Sequence, residues 1–263
     1  MQKNSEKSSK LGVGTTEDHL FKGRIRFYQP AIGYRSAIDT VLLAASINAK
    51  PGDRVADMGC GVGVAMLCLG SRVDGLLIDG IEIQPVLADL SLRNISENGL
   101  ENRSQVFIGD ITNPPDGIKA GEYDFAMANP PFMAPANGNP PPGEIKRTAN
   151  FEGDADLNQW VNAALGLVRR KGTVVLIQRA DRLGDVISAI LAASDPNGEG
   201  AGDIAILPIH PKKGAPANRV IVSFRRGVKT PVTLLEGITV HTDNGGYTPL
   251  LERVLDGGGI SLK

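Results

Sequence analysis

Residues Arg54-Val-Ala-Asp-Met-Gly-Cys-Gly-Val-Gly63 restrict this 263-residue chain more than any other stretch. A short apolar run ends in Asp57. Gly59, Gly61 and Gly63 then lead into a second apolar run, Val64 to about Leu69. This reads as a strand, a turn and a helix, with glycines where a ligand must touch backbone. The dinucleotide-binding pattern wants a third glycine where Val64 stands. Asp57 also sits where a pyrophosphate would lie, and a carboxylate there repels phosphate. Both departures point away from a dinucleotide and toward a ligand carrying positive charge.

The next two units repeat the design. Leu76 to Glu82 reads as a second strand, and Glu82 stands 21 residues past Gly61, the offset of a ribose-binding acid. A helix follows from Pro85 to about Asn98, with proline suited to its first turn and Gly99 to its end. Ser104 to Ile108 is a third strand, followed by Gly109-Asp110. Each acid alone serves equally well as a turn or cap residue. Three of them at successive strand ends meet at one sheet edge, where open parallel sheets bind ligands. Asp57 can face a sulfonium and an ammonium. Glu82 can take two ribose hydroxyls, and Asp110 an adenine amino group. Together they describe S-adenosylmethionine, with S-adenosylhomocysteine as its product.

The apolar run Tyr123 to Ala128 delivers Asn129-Pro130-Pro131-Phe132 to the same edge. Two prolines forbid continuation of strand or helix and leave a stiff, extended turn. The Asn129 side-chain oxygen and the Pro130 carbonyl can each accept one hydrogen of a planar amino group. Pro131 brings no competing N–H. Such acceptors draw the nitrogen toward a tetrahedral shape and free its lone pair. Phe132 supplies a face on which a planar substrate stacks. The plainer reading is a Pro-rich turn with Asn129 as a turn former. Asn129 also stands close enough to the expected cofactor to touch it.

Elsewhere the sequence is organised by charge. His19 to Pro30 alternates Lys22, Arg24 and Arg26 with Phe21, Ile25 and Phe27, the pattern of a half-exposed strand. Through Arg35 there are seven Lys/Arg and three acids, which suits phosphates and bases or, equally, a charge-protected edge strand. Ser36-Ala-Ile-Asp39 resembles a capping box opening a helix to about Asn48, so Asp39 either caps or faces the cofactor. The Pro-rich loop Met133 to Asn150 carries Lys146 and Arg147 and is long enough to be a lid. A helix from Asp156 to Val168 is expected to end on the cations Arg169-Arg-Lys-Gly172. Thr173 to Gln178 reads as a strand and Leu183 to Ala193 as a helix. Ile204 to Leu207 and Arg219 to Phe224 read as an antiparallel pair, because no helix separates them. Residues 204 to 226 hold five Lys/Arg, among them Lys212 and Lys213, and no acid. Residues 74 to 124 hold ten acids and three bases. The expected organisation is a disordered stretch 1–16, a covering segment 17–50, a Rossmann-like domain 51–226 and a tail 227–263 with a short helix around Leu251 to Leu255.

A net charge of −1 excludes binding of polyanions by the whole surface, so a nucleic acid must be held by local patches. Two cysteines, Cys60 and Cys68, are too few and too close for a disulfide scaffold. His19, His210 and His241 are isolated, and no metal is expected. No signal peptide or membrane-length apolar run is read, so the expected location is the cytoplasm.

Asp57-x-Gly-x-Gly-x-Gly, Glu82, Asp110 and Asn129-Pro-Pro-Phe together resemble class I S-adenosylmethionine-dependent methyltransferases of the amino-methylating group. The resemblance implies an α/β fold with a Rossmann-like, doubly wound, seven-stranded sheet whose last strand is antiparallel. Gln29-Pro-x-x-Gly-Tyr-Arg-x-x-Ile-Asp-x-Val-Leu-Leu-Ala-Ala narrows it to bacterial enzymes that methylate N6 of an anticodon-loop adenine in valine tRNA. Arg179-Ala-Asp-Arg182 and Asn218-Arg-Val fit the same relatives. Several amino methyltransferases have Tyr where Phe132 stands; phenylalanine keeps the stacking face and lacks the hydroxyl. The expected activity is therefore N6-adenine methylation of RNA, with tRNA as partner. Guanine N2 in ribosomal RNA, adenine in DNA and a protein glutamine amide are the rival substrates. A cofactor-binding RNA module without catalysis is the rival from another class. The basic residues Lys22, Arg24, Arg26, Arg35, Lys146, Arg147, Lys212 and Lys213 are expected to grip RNA near the Asn129 pocket.

Overall fold

Val174 and Leu176 face one hydrophobic core, and Val175 and Ile177 face another. A strand whose side chains are buried on both faces belongs to the middle of a three-layer α/β arrangement. The computed structural model describes residues 14–32, 38–131, 155–193 and 198–263. Arg35, Phe132, Lys146, Arg147 and the expected lid lie outside those residues.

The described chain opens with a hairpin of β1 (Thr15–Leu20) and β2 (Ile25–Pro30), followed by α1 (Ile38–Ala45). Then come β3 (Arg54–Met58), α2 (Val64–Arg72), β4 (Leu77–Glu82), α3 (Pro85–Glu97) and β5 (Ser104–Ile108). After β6 (Tyr123–Ala128) follow α4 (Leu157–Leu167), β7 (Val168–Arg179) and α5 (Leu183–Ala192). The chain closes with β8 (Ala201–Lys212), β9 (Arg219–Arg226), β10 (Thr233–Leu234), β11 (Ile238–His241) and α6 (Pro249–Leu255). The sheet order is β5-β4-β3-β6-β7-β9-β8, with β10 and β11 both on the outer side of β8. Only β9 runs against its neighbours; β10 and β11 pair parallel with β8. The expected seven strands and their antiparallel last member are present, and two further strands extend the sheet.

The parallel arrangement brings the carboxyl ends of β3, β4, β5 and β6 to one edge. Helices α1, α2 and α6 cover one face of the sheet, and α4 and α5 the other. The local signals behave as read. Pro85 opens α3, and Gly99, with φ +67°, follows its last turn. Asp156 and Gln159 form a reciprocal capping box at the start of α4.

Two expectations are corrected. The segment from His19 to Pro30 is a hairpin rather than one strand. Phe21 and Lys22 adopt left-handed backbone and Gly23 has φ +89°, so the chain reverses there. Arg169, Arg170 and Lys171 do not end a helix. They belong to a β7 that starts five residues earlier than expected, with a register shift against β6. The residues after Gly227 supply the expected short helix as α6, and also β10 and β11, which the sequence did not indicate. Leu251, Val254 and Ile260 join the same core as α1 and α2. Strands of two and four residues are too short for periodicity to register.

Leu251 is fully buried on α6, which packs against α1. Leu251→Ala is expected to lower the unfolding free energy by about 2–4 kcal/mol, read from the denaturant midpoint. An unchanged midpoint would make the tail an appendage.

Candidate functional site

Asp57, Glu82, Asp110 and Asn129 all stand at or just past the carboxyl ends of neighbouring strands. Glu82 is the joint. Its Oε2 accepts from the Gly61 amide at 2.8 Å and its Oε1 from the Gln84 amide at 2.9 Å. The first bond fixes the glycine turn after β3, and the second fixes the start of α3. Each oxygen keeps a further lone pair for a hydroxyl donor. Burial raises the Glu82 carboxyl above its ordinary range, and the backbone N–H groups act in the opposite direction.

The glycines are needed for different reasons. All three have positive φ. A Cβ on Gly63 would lie 2.3 Å from Ser91 Oγ, so glycine lets α2 and α3 approach. A Cβ on Gly59 would meet the Trp160 ring at 2.8 Å. Trp160 of α4 thus roofs the turn, a role that its position in an amphipathic helix did not reveal.

Asp57 is buried, and its Oδ2 has no hydrogen-bond partner among the described residues. Burial, then the nearby Glu82 carboxylate, push its carboxyl well above the ordinary range. A buried acid beside another acid, without a counter-charge, is costly unless a cation arrives. Asp110 is half-buried, and its Oδ1 accepts from the Thr112 amide at 2.8 Å. Ile83 and Ile108 remain half-exposed beside Glu82 and Gly109-Asp110. Two large apolar side chains left open at the ends of β4 and β5 suit the walls of a flat ring. Sequence reading missed both, because an apolar residue beside a strand is not informative until its exposure is known.

Asn129 Oδ1 is also buried and has no hydrogen-bond partner among the described residues. It follows Ala128, which pairs with Met58 on β3, so it stands on the strand beside the Asp57 turn. Pro130 is buried. Gln178, at the end of β7, directs its Nε2 toward the Pro130 and Pro131 carbonyls at 3.5 and 3.4 Å, while its Oε1 accepts from the Arg179 amide at 2.9 Å. Those two carbonyl contacts are long and leave acceptor capacity free. Gln178 is a buried polar side chain that sequence reading placed only in a strand.

The basic residues divide. Lys22 and Arg24 bond to Asp256, and Arg26 to Glu97. Glu97 closes α3, which runs back to the amino ends of the strands. The turn of the hairpin therefore lies at the sheet edge opposite Asn129, and the expectation that these three cations rim the pocket is corrected. Basic and apolar alternation recorded the exposed and buried faces of β2 correctly, but not which way the strand points. Lys212 and Lys213 lie at the carboxyl end of β8, on the same edge as Asn129, and are exposed. Asp39 is buried, and its Oδ2 ion-pairs with Arg219 at 2.9 Å.

The residues present fit S-adenosylmethionine. The site offers acceptors, and that ligand presents cations, ribose hydroxyls and an amino group. The unpartnered Asp57 Oδ2 is the feature that such a ligand explains. Among the described residues no group of three His, Cys, Asp or Glu side chains is placed to hold a metal, and no helix is long and apolar enough to cross a membrane.

Sheet order and acidic carboxyl edge together define the class I methyltransferase fold. Residues 35–140 match the family described as Methyltransferase small domain. The tRNA1(Val) (adenine(37)-N6)-methyltransferase of Yersinia enterocolitica is 25% identical over 212 residues, covering 80% of each chain. A predicted O-methyltransferase from Agrobacterium tumefaciens superposes with a TM-score of 0.68 at 21% identity, covering 85% of this chain and 98% of that one. TYW2 of Pyrococcus horikoshii, solved with MeSAdo, gives a TM-score of 0.54 at 14% identity, covering 81% and 71%. The two structural likenesses concern the fold.

Asp57→Asn separates stability from binding. The raised carboxyl means that the ligand-free fold loses stability as pH rises through that elevated value. The Asn variant is therefore expected to melt higher than wild type at pH 8, with the gain shrinking toward the ordinary carboxylate range. It should also bind S-adenosylmethionine about tenfold or more weakly, from loss of a charge-assisted contact. Melting scans and calorimetry across pH check both. Equal affinity in the variant would remove Asp57 from the cofactor site.

Proposed function

We propose that this protein transfers the methyl group of S-adenosylmethionine to the N6 amino group of adenine in RNA, with tRNA as its substrate. The observation that carries the reading is the pair of buried, unpartnered oxygens, Asp57 Oδ2 and Asn129 Oδ1, on the adjacent strand ends of β3 and β6. One suits a cation and the other an N–H donor. Methyl transfer to an amine needs those two partners side by side. The similarity to enzymes named for adenine-N6 methylation of tRNA supports the same substrate.

In this mechanism Asp57, Glu82 and Asp110 orient the cofactor, which supplies an electrophilic methyl. Asn129 Oδ1 and the Pro130 carbonyl accept the two amino hydrogens of the target adenine. Held so, the nitrogen loses conjugation with its ring and its lone pair points at the methyl carbon. When bound, the cofactor would supply the methyl carbon to this lone pair and leave as the thioether, and the proton displaced from nitrogen would pass to water. Phe132, next along the chain, is proposed to stack on the base. Gln178 holds the two prolines in place. Positioning supplies most of the acceleration. The target base must leave its stack, which costs least in a loop.

The test supplies tritiated cofactor with tRNA, ribosomal RNA, DNA and protein in parallel. Wild type is expected to label tRNA. Asn129→Ala should bind cofactor normally and lose about 10²-fold in turnover, the scale of one positioned polar group. Label in protein or DNA instead of RNA would contradict the substrate, and full turnover in Asn129→Ala would contradict the mechanism.

A further inference from the structure

We propose that the C-terminal extension supplies a second RNA contact, a stacking platform formed by His241 and Tyr247 beside Lys212. The inference deepens the RNA reading above and rests on it.

Strand β11 pairs parallel with β8, and His241 stands opposite Lys212 at the carboxyl ends of both strands. The tail thus reaches the same sheet edge as Asn129. His241 and Tyr247 stack, with ring centroids 5.1 Å apart and an interplanar angle of 21°. Tyr247 nevertheless keeps 43% of its surface exposed. The turn between them is rigidly closed. Thr242 and Gly245 bond within it, and Thr248 ties it to β11 through its amide to Val240 and its hydroxyl to Thr239. An exposed tyrosine backed by another ring, on a braced turn, is preorganised to receive a further flat group.

The charge around it favours a polyanion. Lys212 and Lys213 are exposed, and neither has a hydrogen-bonding or ion-pairing partner among the described residues. In contrast, Lys22, Arg24 and Arg26 are committed to acids of their own chain. Residues 210–219 contain no acid, and Asp243 is the single acid of the 241–247 turn. The His210 ring, at hydrogen-bond distance from the Ala215 carbonyl at 2.8 Å, braces the loop that carries both lysines. Aromatic rings interleaved with unpaired cations bind single-stranded nucleic acid by stacking and phosphate contact.

The spacing gives the platform a purpose. Four inter-strand steps separate β6 from β11, through β7, β9 and β8, which amounts to about 19 Å. A free nucleoside in the Asn129 pocket cannot touch Tyr247. An RNA loop can fill the pocket with one base and lay a more distant nucleotide on the platform. The tail then selects for RNA of sufficient size without taking part in the chemistry.

Steady-state methylation of tRNA over a range of salt tests the proposal, with cofactor affinity and melting temperature measured on each variant. Tyr247→Ala should raise the KM for tRNA about tenfold and leave kcat and cofactor affinity unchanged, while Tyr247→Phe keeps wild-type KM. Lys212→Ala/Lys213→Ala should raise KM and flatten its salt dependence, each lost phosphate contact removing about 0.7–0.9 from the logarithmic slope. Lys22→Ala/Arg24→Ala should change neither. Wild-type KM in both Tyr247→Ala and the double lysine variant would overturn the platform while leaving RNA methylation intact. A wild-type protein that transfers no methyl to tRNA would overturn the platform and the RNA reading together. A folded Tyr247→Ala variant that loses kcat at unchanged KM would also overturn it, by assigning the ring to the catalytic step.

Discussion

One carboxylate joins the two halves of the cofactor site. Glu82 takes the Gly61 amide on one oxygen and the Gln84 amide on the other. Through the first bond it sets the turn that follows β3. Through the second it sets the entry to α3. The glycine turn and the second strand end therefore cannot move independently. Parallel pairing of β3 with β4 and β6 brings Asp57 and Asn129 into the same neighbourhood. The geometry of the edge follows from sheet register, and register follows from burial of both faces.

Against that fixed frame stand two groups left without partners. Among the described residues a buried carboxylate oxygen and a buried amide oxygen at this edge both lack donors. Native structures satisfy nearly all buried polar atoms, so two orphans on neighbouring strand ends mark a place shaped for something that binds there. The elevated Asp57 carboxyl has the same origin, burial and a second acid with no cation between them. Stability is held in reserve for a ligand, as is common where a site is prepared in advance.

The fold was legible where the sequence carried strong, repeated signals. Apolar strands ending in acids, Pro85 opening α3 and Gly99 following it could be read directly, and so could the antiparallel pairing of β8 and β9. The candidate site was half legible. Asp57, Glu82, Asp110 and Asn129 were found because each ends a recognisable strand. Trp160, Gln178, Ile83 and Ile108 were not, because their roles depend on what faces them across the sheet edge. The hairpin cations misled for a related reason. Composition showed that Lys22, Arg24 and Arg26 are exposed, but only the direction of β2 along α3 shows that they lie at the wrong edge. In the tail the short helix could be read, but β10 and β11 could not, because they are two and four residues long.

The central claim is that acceptors at one sheet edge direct a methyl group onto an exocyclic amine of RNA. Mass spectrometry of nucleosides released from tRNA, after reaction of the purified protein with isotopically labelled S-adenosylmethionine, tests it most directly. The account predicts labelled N6-methyladenosine. Label on guanine N2, on a ring nitrogen or on a ribose oxygen would contradict it.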